Sequence, residues 1–321
     1  MTGAELPVLA LVGPTAAGKS DLGVQVALAL TAKGWPAEVV NGDSMLVYKG
    51  MDIGTAKPSL AQRAGVPHHL IDILEVTQTA SVAQFQVWAR DAIADCRARS
   101  VLPVLVGGSA LYVHAVLDDM AFPPTDAAVR ARWQAELDRL GPQALHDQLA
   151  ARAPDVATDI LPGNGRRIVR ALEAIELTGT FVAKLPPPHY ALAGVQQIGL
   201  TIGKEALAQR IRQRVDQMWA AGLVDEVREL AGRGLRDGLT ASRALGYRQV
   251  LAFLDHQLDE DQAKAETIAA TWRFARKQAT WFKRDQRIDW LPYDAPSLGQ
   301  RIVARLQGGP CHPAAPARMV P

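Results

Sequence analysis

Residues 13–20 are the part of the chain whose types and spacing indicate chemistry most directly. They read Gly13-Pro14-Thr15-Ala16-Ala17-Gly18-Lys19-Ser20 and fit the pattern G-x-x-x-x-G-K-[ST], the P-loop, at every fixed position. The glycines let the backbone wrap around a polyphosphate with its N–H groups pointing inward. Lys19 is expected to reach the outer phosphates, and the Ser20 hydroxyl is expected to ligate Mg²⁺. The pattern recognises a chain of phosphates and leaves open which molecule carries them.

Two more polar residues, Asp43 and Ser109, follow apolar stretches and could also take part in chemistry. P-loop ATPases usually have a second apolar strand that ends in Asp, which helps to hold Mg²⁺. The best candidate for that strand, 101–106, ends instead in Gly107-Gly108-Ser109, so Asp43 is the sole acid at a strand end near the loop. A single carboxylate suits a reaction that needs one base and releases pyrophosphate better than it suits water activation for ATP hydrolysis.

The elements that must position these residues alternate along the chain. The pattern predicts strand 7–12, helix 21–32, strand 37–40, helix 81–99, strand 101–106 and helix 110–117. Such alternation indicates a parallel sheet with helices on both faces, and ligands bind at the carboxyl ends of the strands of such sheets. The P-loop, Asp43 and Ser109 are therefore expected to converge in space.

The predicted fold class is α/β, a P-loop NTPase-like parallel sheet flanked by helices, with an all-helical insertion domain. Residues 1–118 and 190–307 are expected to form the core with its C-terminal helices. Residues 119–189 are expected to form the insertion, because their pattern is helical and is bounded by proline-rich turns. The tail, 308–321, is rich in Gly, Pro and Ala and is expected to be disordered.

A basic face is predicted on the last long helix, 262–287. Six cationic side chains fall within about a third of its circumference at roughly 100° per residue: Arg273, Arg276, Lys277, Lys283, Arg284 and Arg287. This face is either an ordinary solvated surface or a nucleic-acid contact, and the helix alone does not decide between them.

Composition excludes several classes of protein. The 321 residues are 48% hydrophobic and 21% charged, as in ordinary globular proteins, and no apolar run approaches the roughly 20 residues that span a bilayer. Cys96 and Cys311 are the only cysteines, so neither a zinc pattern nor a disulfide framework is expected, and a cytoplasmic location without membrane contact is predicted. The net charge is only +2, so any nucleic-acid surface must be local.

Several motifs together resemble the tRNA dimethylallyltransferases, also called tRNA isopentenyltransferases. The most specific is the segment Asp43–Pro58, and the resemblance runs from about residue 7 to 290. The other matching segments follow in family order: 67–72, 107–112, 166–173, 210–218, 246–249 and 276–282.

The resemblance implies transfer of a dimethylallyl group from dimethylallyl diphosphate to N6 of the adenine just 3′ of the anticodon. The P-loop, Gly13 to Ser20, would then hold the diphosphate of the prenyl donor rather than ATP. Asp43 would be the general base, and Lys19, Mg²⁺ and Arg214 would stabilise the departing pyrophosphate. Ser109 stands where family members usually carry Thr, and its hydroxyl would donate to the leaving oxygen.

The resemblance also implies contacts to the anticodon stem-loop of tRNA. The matching positions are Asp43, Ser44, Met45, Leu46, Ser109, Arg130, Arg166, Arg167, Ile168, Val169, Arg170, Arg243, Ala244, Leu245, Gly246, Tyr247, Arg248, Arg276, Lys277, Gln278, Ala279, Thr280, Trp281, Phe282 and Lys283. The target adenine must leave its stack to reach a strand-end site, and the insertion would clamp the anticodon arm. We expect the protein to act as a monomer.

Other interpretations of these residues remain open. Asp43 could serve only as a Mg²⁺ or turn ligand, Arg214 could merely solvate its helix, and Ser109 could cap a helix. The protein could instead transfer the same group to free AMP or ADP, act as a small-molecule kinase, or bind tRNA without catalysis. The basic last helix and the long insertion argue against a small acceptor, since such a substrate needs neither.

Overall fold

A computed structural model describes residues 6–307 of the chain. The tail that the sequence predicts to be disordered, 308–321, lies outside the described residues. The chain divides into two compact units. The first consists of the chain up to Asp118 and from Tyr190 onward, and the second spans Asp119–His189.

A parallel sheet forms the centre of the first unit. Within the described residues it has six strands: β1 Val8–Val12, β2 Ala37–Asn41, β3 His68–His69, β4 Leu102–Gly107, β5 Val195–Thr201 and β6 Ile288–Pro292. Their order across the sheet is β3-β2-β4-β1-β5-β6, and all neighbours pair in parallel. The centre strand β1 pairs with β4 on one side and β5 on the other, which places the loop after β1 between the ends of these two strands.

Helices cover the sheet and build the second unit. In chain order they are α1 Lys19–Thr31, α2 Leu60–Arg63, α3 Val82–Ala98, α4 Ala110–Leu117, α5 Ala127–Arg152, α6 Pro154–Thr158, α7 Gly165–Thr178, α8 Lys204–Ala220, α9 Leu223–Gly232, α10 Tyr247–Leu254, α11 Glu260–Phe282 and α12 Leu298–Gln307. Among residues 6–307, no helix combines the length and the apolar character needed to cross a membrane.

The alternation of side chains along β1 separates two apolar layers. Val8, Ala10 and Val12 face a layer built mainly by α3, α4, α9 and α10, whereas Leu9 and Leu11 face α1 and α12. All five side chains are fully buried, because a parallel sheet covered on both faces leaves no polar side. This is why the strand appears in the sequence as an unbroken apolar run.

The last long helix, α11, ends at Phe282 rather than near residue 287 as its charge pattern suggested. The Asp285 carboxylate accepts the backbone N–H of Arg287 at 2.9 Å, a local side-chain bond that competes with the helix. The chain then turns into β6, a short strand that the sequence pattern did not indicate. Arg287 therefore does not belong to the basic face of α11.

The second unit is entirely helical in its regular structure. The helix α5 is kinked at Gly141, whose φ of 79° lies in the left-handed region and precedes Pro142. Its apolar core joins Trp133 and Leu149 of α5 to Leu172 of α7. These helices break where the sequence carries Gly-Pro and Pro-Gly pairs, as expected from the loss of a backbone donor at proline.

A buried carboxylate, Glu173, organises the cations of the second unit. It accepts the Asp126 backbone N–H at 3.0 Å, two nitrogens of Arg130 at 3.0 and 2.8 Å and one nitrogen of Arg170 at 2.8 Å. Burial raises the pKa of Glu173, but the bonds from Arg130 and Arg170 outweigh it and hold that pKa below its usual value. Arg170 also donates to two backbone carbonyls. Both arginines thus have structural partners in addition to any role at a nucleic acid.

An ionic network ties together the two points where the first unit is interrupted. Asp118 and Tyr190 pair in an antiparallel bridge. Arg287 binds Asp118 at 2.6 Å and Asp285 at 2.7 Å, and its guanidinium lies 4.0 Å from the centre of the Tyr190 ring. His114 adds a contact of 2.9 Å to Asp118. Burial raises the pKa of Asp118, but hydrogen bonds from His114 and Arg287 outweigh it and keep the carboxylate ionised.

Replacing Arg287 with methionine is expected to destabilise the first unit by about 3–5 kcal/mol, because it leaves two buried carboxylates without their shared cation. The check is the free energy of unfolding in urea, followed by tryptophan fluorescence. Arg236→Met is the matched control, since Arg236 forms a similar two-pronged pair with Asp255 but both side chains are exposed. It should cost less than about 1 kcal/mol. Equal losses in the two variants would contradict the assignment.

Candidate functional site

The P-loop adopts the conformation that its glycines allow. Gly18 has a φ of 90°, and Gly13 has a φ of 138° with room for no side chain, since a Cβ there would lie 3.1 Å from the carbonyl oxygen of Leu200. The helix α1 begins at Lys19 without a side-chain cap. Its first N–H groups are therefore available to an anion, as at other helix N-termini that follow glycine loops.

Lys19 is a buried cation at the centre of this loop. Its Nζ donates to the carbonyl oxygen of Pro14 at 2.7 Å. Burial lowers its pKa to about 8; the nearby Asp43 opposes this shift and Arg214 adds to it. A lysine with so few partners in the protein is poised to bind an anionic ligand.

Asp43 lies in a turn that the end of β2 holds rigidly. The Asn41 side chain accepts the Asp43 N–H at 2.7 Å and donates to the Asp43 carbonyl oxygen at 2.8 Å. One carboxylate oxygen of Asp43 accepts the Met45 N–H at 2.9 Å. The other accepts no hydrogen bond from the described residues, so it is free to accept a proton or bind a ligand.

Two glycines bring Ser109 close to both loops. A Cβ at Gly107 would lie 2.3 Å from the carbonyl oxygen of Gly42, and a Cβ at Gly108 would lie 3.3 Å from Lys19 Nζ. Ser109 occupies the N-cap position of α4, yet its hydroxyl makes no hydrogen bond to the helix or to other described residues. The three loops that follow β1, β2 and β4 therefore meet, with the Ser109 hydroxyl unengaged.

Arg210 and Arg214 reach the P-loop from α8. Arg214 donates to the Thr15 hydroxyl at 3.4 Å and to the Thr55 carbonyl oxygen at 3.0 Å, and burial lowers its pKa. Arg210 donates to the Ala16 carbonyl oxygen at 2.6 Å. Arg214 therefore lies against the loop and does more than solvate its own helix.

The segment 43–58 is anchored at two places that the sequence did not reveal. Lys57 Nζ contacts the Tyr48 carbonyl oxygen at 2.7 Å and the carboxylates of Asp52 and Asp72 at 2.6 and 2.5 Å. Glu226 accepts N–H groups from three successive residues, 52–54, and the hydroxyl of Tyr247 at 2.6 Å. These bonds fix the far end of the segment that begins with Asp43.

Several positions predicted to contact tRNA have buried side chains. Tyr247 is fully buried against Gly54, where a Cβ would lie 2.4 Å from its ring. The side chains of five more predicted contacts are buried in the apolar cores or against the P-loop: Ile168, Val169, Ala244, Gln278 and Phe282. In this structure these side chains pack against neighbouring residues, and the tRNA contacts at these positions stay predictions.

The exposed members of the same set are mostly cations. They are Arg130, Arg166, Arg167, Arg243, Arg248, Arg276, Lys277, Thr280 and Lys283. On α11, Arg273, Arg276 and Lys277 form no ion pair within residues 6–307. A charged face without counter-ions of its own is available to phosphates.

A separate cluster of Glu38, His69 and Cys96 has the residue types of a metal site, the one such group among the described residues. Hydrogen bonds from Arg99 are the main cause that lowers the pKa of Glu38 to about 2, and burial raises the pKa of Cys96 to about 12. The thiol is protonated, and Glu38 is paired with the Arg99 guanidinium at 2.7 Å, so these residues have partners without a metal. His69 binds Glu38 at 2.7 Å.

The parallel sheet and the glycine loop at its carboxyl edge define an α/β protein with a P-loop NTPase-like fold, and the predicted fold class is confirmed. Residues 46–285 match the model of the IPP transferase family. The chain belongs to this family, which confirms the resemblance of its motifs.

Two similar relatives carry the same name. The tRNA dimethylallyltransferase of Cutibacterium acnes is 58% identical over 301 residues, which cover 94% of each chain. That of Thermobifida fusca is 59% identical over 298 residues, 92% of this chain and 93% of the relative. The crystal structure of the full-length tRNA isopentenylpyrophosphate transferase of Bacillus halodurans is similar with a TM-score of 0.68 and 38% identity. The match covers 94% of this chain and 97% of the Bacillus halodurans chain.

Proposed function

We propose that the protein is a tRNA dimethylallyltransferase that acts on the adenine 3′-adjacent to the anticodon. The observation that carries this proposal is the meeting of three loops: a P-loop with a buried lysine, a turn with a free carboxylate oxygen and a turn with a free hydroxyl. The loop after β4 ends in glycines and serine rather than in an acid. The site therefore suits displacement of a diphosphate better than hydrolysis of ATP.

In this reaction the exocyclic N6 of adenine attacks the first carbon of the dimethylallyl group. The bond from that carbon to the diphosphate oxygen breaks, and its electron pair leaves with the diphosphate. The proton released from N6 passes to Asp43, the general base. In this proposal Lys19 and Arg214 stabilise the negative charge that develops on the leaving group, and Ser109 donates its hydroxyl to the leaving oxygen.

Ser20 is the residue that would hold Mg²⁺. It is exposed in the first turn of α1, and its hydroxyl makes no hydrogen bond to the described residues. A hydroxyl oxygen is the type of ligand that Mg²⁺ accepts alongside phosphate oxygens and water. The ion would supply positive charge that neutralises the diphosphate.

The exposed cations support a tRNA rather than a nucleotide acceptor. Arg243 precedes α10 and Arg248 lies in its first turn, whereas Arg276 and Lys277 lie on α11 and Lys283 directly follows it; all belong to the first unit. Such residues position a phosphate backbone, and a base in a single-stranded loop can leave its stack at modest cost. The clamp role of residues 119–189, the monomeric state and the cytoplasmic location stay predictions.

The test uses the purified protein with labelled dimethylallyl diphosphate and an anticodon stem-loop. Mass spectrometry of the adenine should show the added five-carbon group, and diphosphate should appear in equal amount. Free AMP at the same concentration should compete poorly. Equal transfer to AMP would favour a nucleotide acceptor, γ-phosphate transfer from ATP would favour a kinase, and tRNA binding without diphosphate release would exclude catalysis.

A further inference from the structure

A buried carboxamide connects two of the loops that form the site. Gln278 lies on α11 with 4% of its surface exposed. Its Oε1 accepts the backbone N–H of Thr15 at 2.8 Å, and its Nε2 donates to the carbonyl oxygen of Gly108 at 2.8 Å. Thr15 belongs to the P-loop, and Gly108 directly precedes Ser109.

The two bonds require a side chain that both donates and accepts. A carboxamide does this with one planar group, whereas glutamate lacks the donor and methionine lacks both. The two bonded groups are backbone atoms of residues separated by 93 positions in the chain. Since Gln278 is buried, water has little access to replace these bonds.

The packing around the bridge leaves little freedom for either loop. A Cβ at Gly108 would lie 2.6 Å from Gln278 Nε2 and 3.1 Å from the Gly13 carbonyl oxygen. Pro14, which precedes Thr15, accepts Lys19 Nζ. A shift of the carboxamide would therefore move the backbone on both sides of the proposed diphosphate site.

We infer that Gln278 is a positioning residue for the transfer reaction: it fixes the diphosphate-binding loop relative to the Ser109 hydroxyl. The inference rests on the proposed function, because it assigns a task within that site. It is a different role from the direct tRNA contact predicted for this residue. The exposed side of α11 carries Arg276 and Lys277, which are expected to meet RNA phosphates. Through Gln278 the same helix is hydrogen-bonded to the P-loop, the proposed diphosphate site.

The test compares Gln278→Met with Gln197→Met. Gln197 is also a buried glutamine of the first unit, and it donates to Tyr190 and Asp285 rather than to a residue of the three site loops. Gln278→Met should lower kcat by about 10- to 100-fold, as expected for misplaced reacting groups, with KM for tRNA changed less than about threefold. Gln197→Met should keep kcat near that of the wild type.

Hydrogen–deuterium exchange provides a readout that does not depend on catalysis. Exchange at the Thr15 amide should become about tenfold faster or more in Gln278→Met and stay unchanged in Gln197→Met, because only the first variant frees that N–H. Gln278→Glu keeps the acceptor for Thr15 and loses the donor to Gly108. It should keep slow exchange at Thr15 while kcat still falls at least about tenfold.

Three outcomes would overturn the inference: an unchanged kcat in both Gln278 variants, a raised KM for tRNA as the main effect, or equal losses of activity in Gln278→Met and Gln197→Met. If Gln278→Met does not fold, Gln278→Glu decides by the same criteria. If the wild type transfers no prenyl group, the proposed function fails instead, and the exchange result still shows whether the bridge exists.

Discussion

Asp43→Asn is expected to lower kcat for prenyl transfer by about 10²- to 10⁴-fold, the usual contribution of a general base. Asparagine keeps an oxygen that accepts the Met45 N–H, so the turn after β2 should persist. It cannot take up the proton that leaves N6 of the adenine. The fold and the affinity for tRNA should therefore stay near those of the wild type.

Single-turnover measurements with preformed enzyme–tRNA complex would test this expectation. The control is Asp52→Asn, which alters another carboxylate of the same segment. The Asp52 side chain is exposed and pairs with the buried Lys57, which retains Asp72 as a partner in this variant. The control should stay within about threefold of the wild type. An Asp43→Asn rate within about tenfold of the wild type would rule out the role of general base.

Lys19→Met is expected to have two opposite effects. The value of kcat/KM for dimethylallyl diphosphate should fall by at least about 10²- to 10³-fold, because the cation opposite the leaving group is lost. The free energy of unfolding should rise by about 1–2 kcal/mol, because a buried ammonium with a strongly lowered pKa is removed. The gain is less than the full shift implies, since the Pro14 carbonyl oxygen loses its partner.

The pH dependence gives the sign of both effects. The pKa of Lys19 is about 8 in the folded protein, below its usual 10.5, so burial of the charged form costs stability most below pH 8. The stability advantage of Lys19→Met should thus be largest near neutral pH and vanish above the unfolded pKa. In the wild type, kcat/KM for the donor should decline above about pH 8 as the free enzyme loses this proton.

Arginine at this position serves as the control for the pH effect, since its guanidinium stays protonated throughout the range. The activity that remains in Lys19→Arg should show no decline near pH 8. Urea unfolding at pH 7 and pH 10 measures the stability of the wild type and Lys19→Met. If Lys19→Met is less stable than the wild type at pH 7, burial of the charged Lys19 does not cost folding free energy, and the expectation is wrong.

The sequence predicted the parallel sheet and the family, and both predictions are confirmed. It also predicted that the P-loop, Asp43 and Ser109 would lie at neighbouring strand ends. That part follows from local patterns, because an apolar run and the polar residue after it are adjacent in the chain. Gly107 and Gly108 precede Ser109, and the structure explains why these positions are glycines: a Cβ at either would lie too close to the neighbouring loops.

The supports of the site were not predictable from such patterns. Gln278 and Glu226 bind backbone groups of segments that are distant in the chain, and no local sequence pattern indicates which segments these are. Each sequence segment that matches the family also contains both exposed and buried residues, and the match does not distinguish them. Tyr247 and Phe282 lie beside exposed cations in the chain but point into the core, because a helix turns successive side chains to different faces.

The bridge between Asp118 and Tyr190 has a consequence for the ancestry of such proteins. The chain leaves the first unit at Asp118 and returns to it at Tyr190, and these two residues pair with each other. Arg287, from a third segment, contacts both. An insertion whose two ends are adjacent in space can be gained, lengthened or exchanged by a single genetic event without a change in the fold of the unit that carries it. A parallel-sheet core of this kind can in this way acquire a new helical unit while its strands and their order stay unchanged.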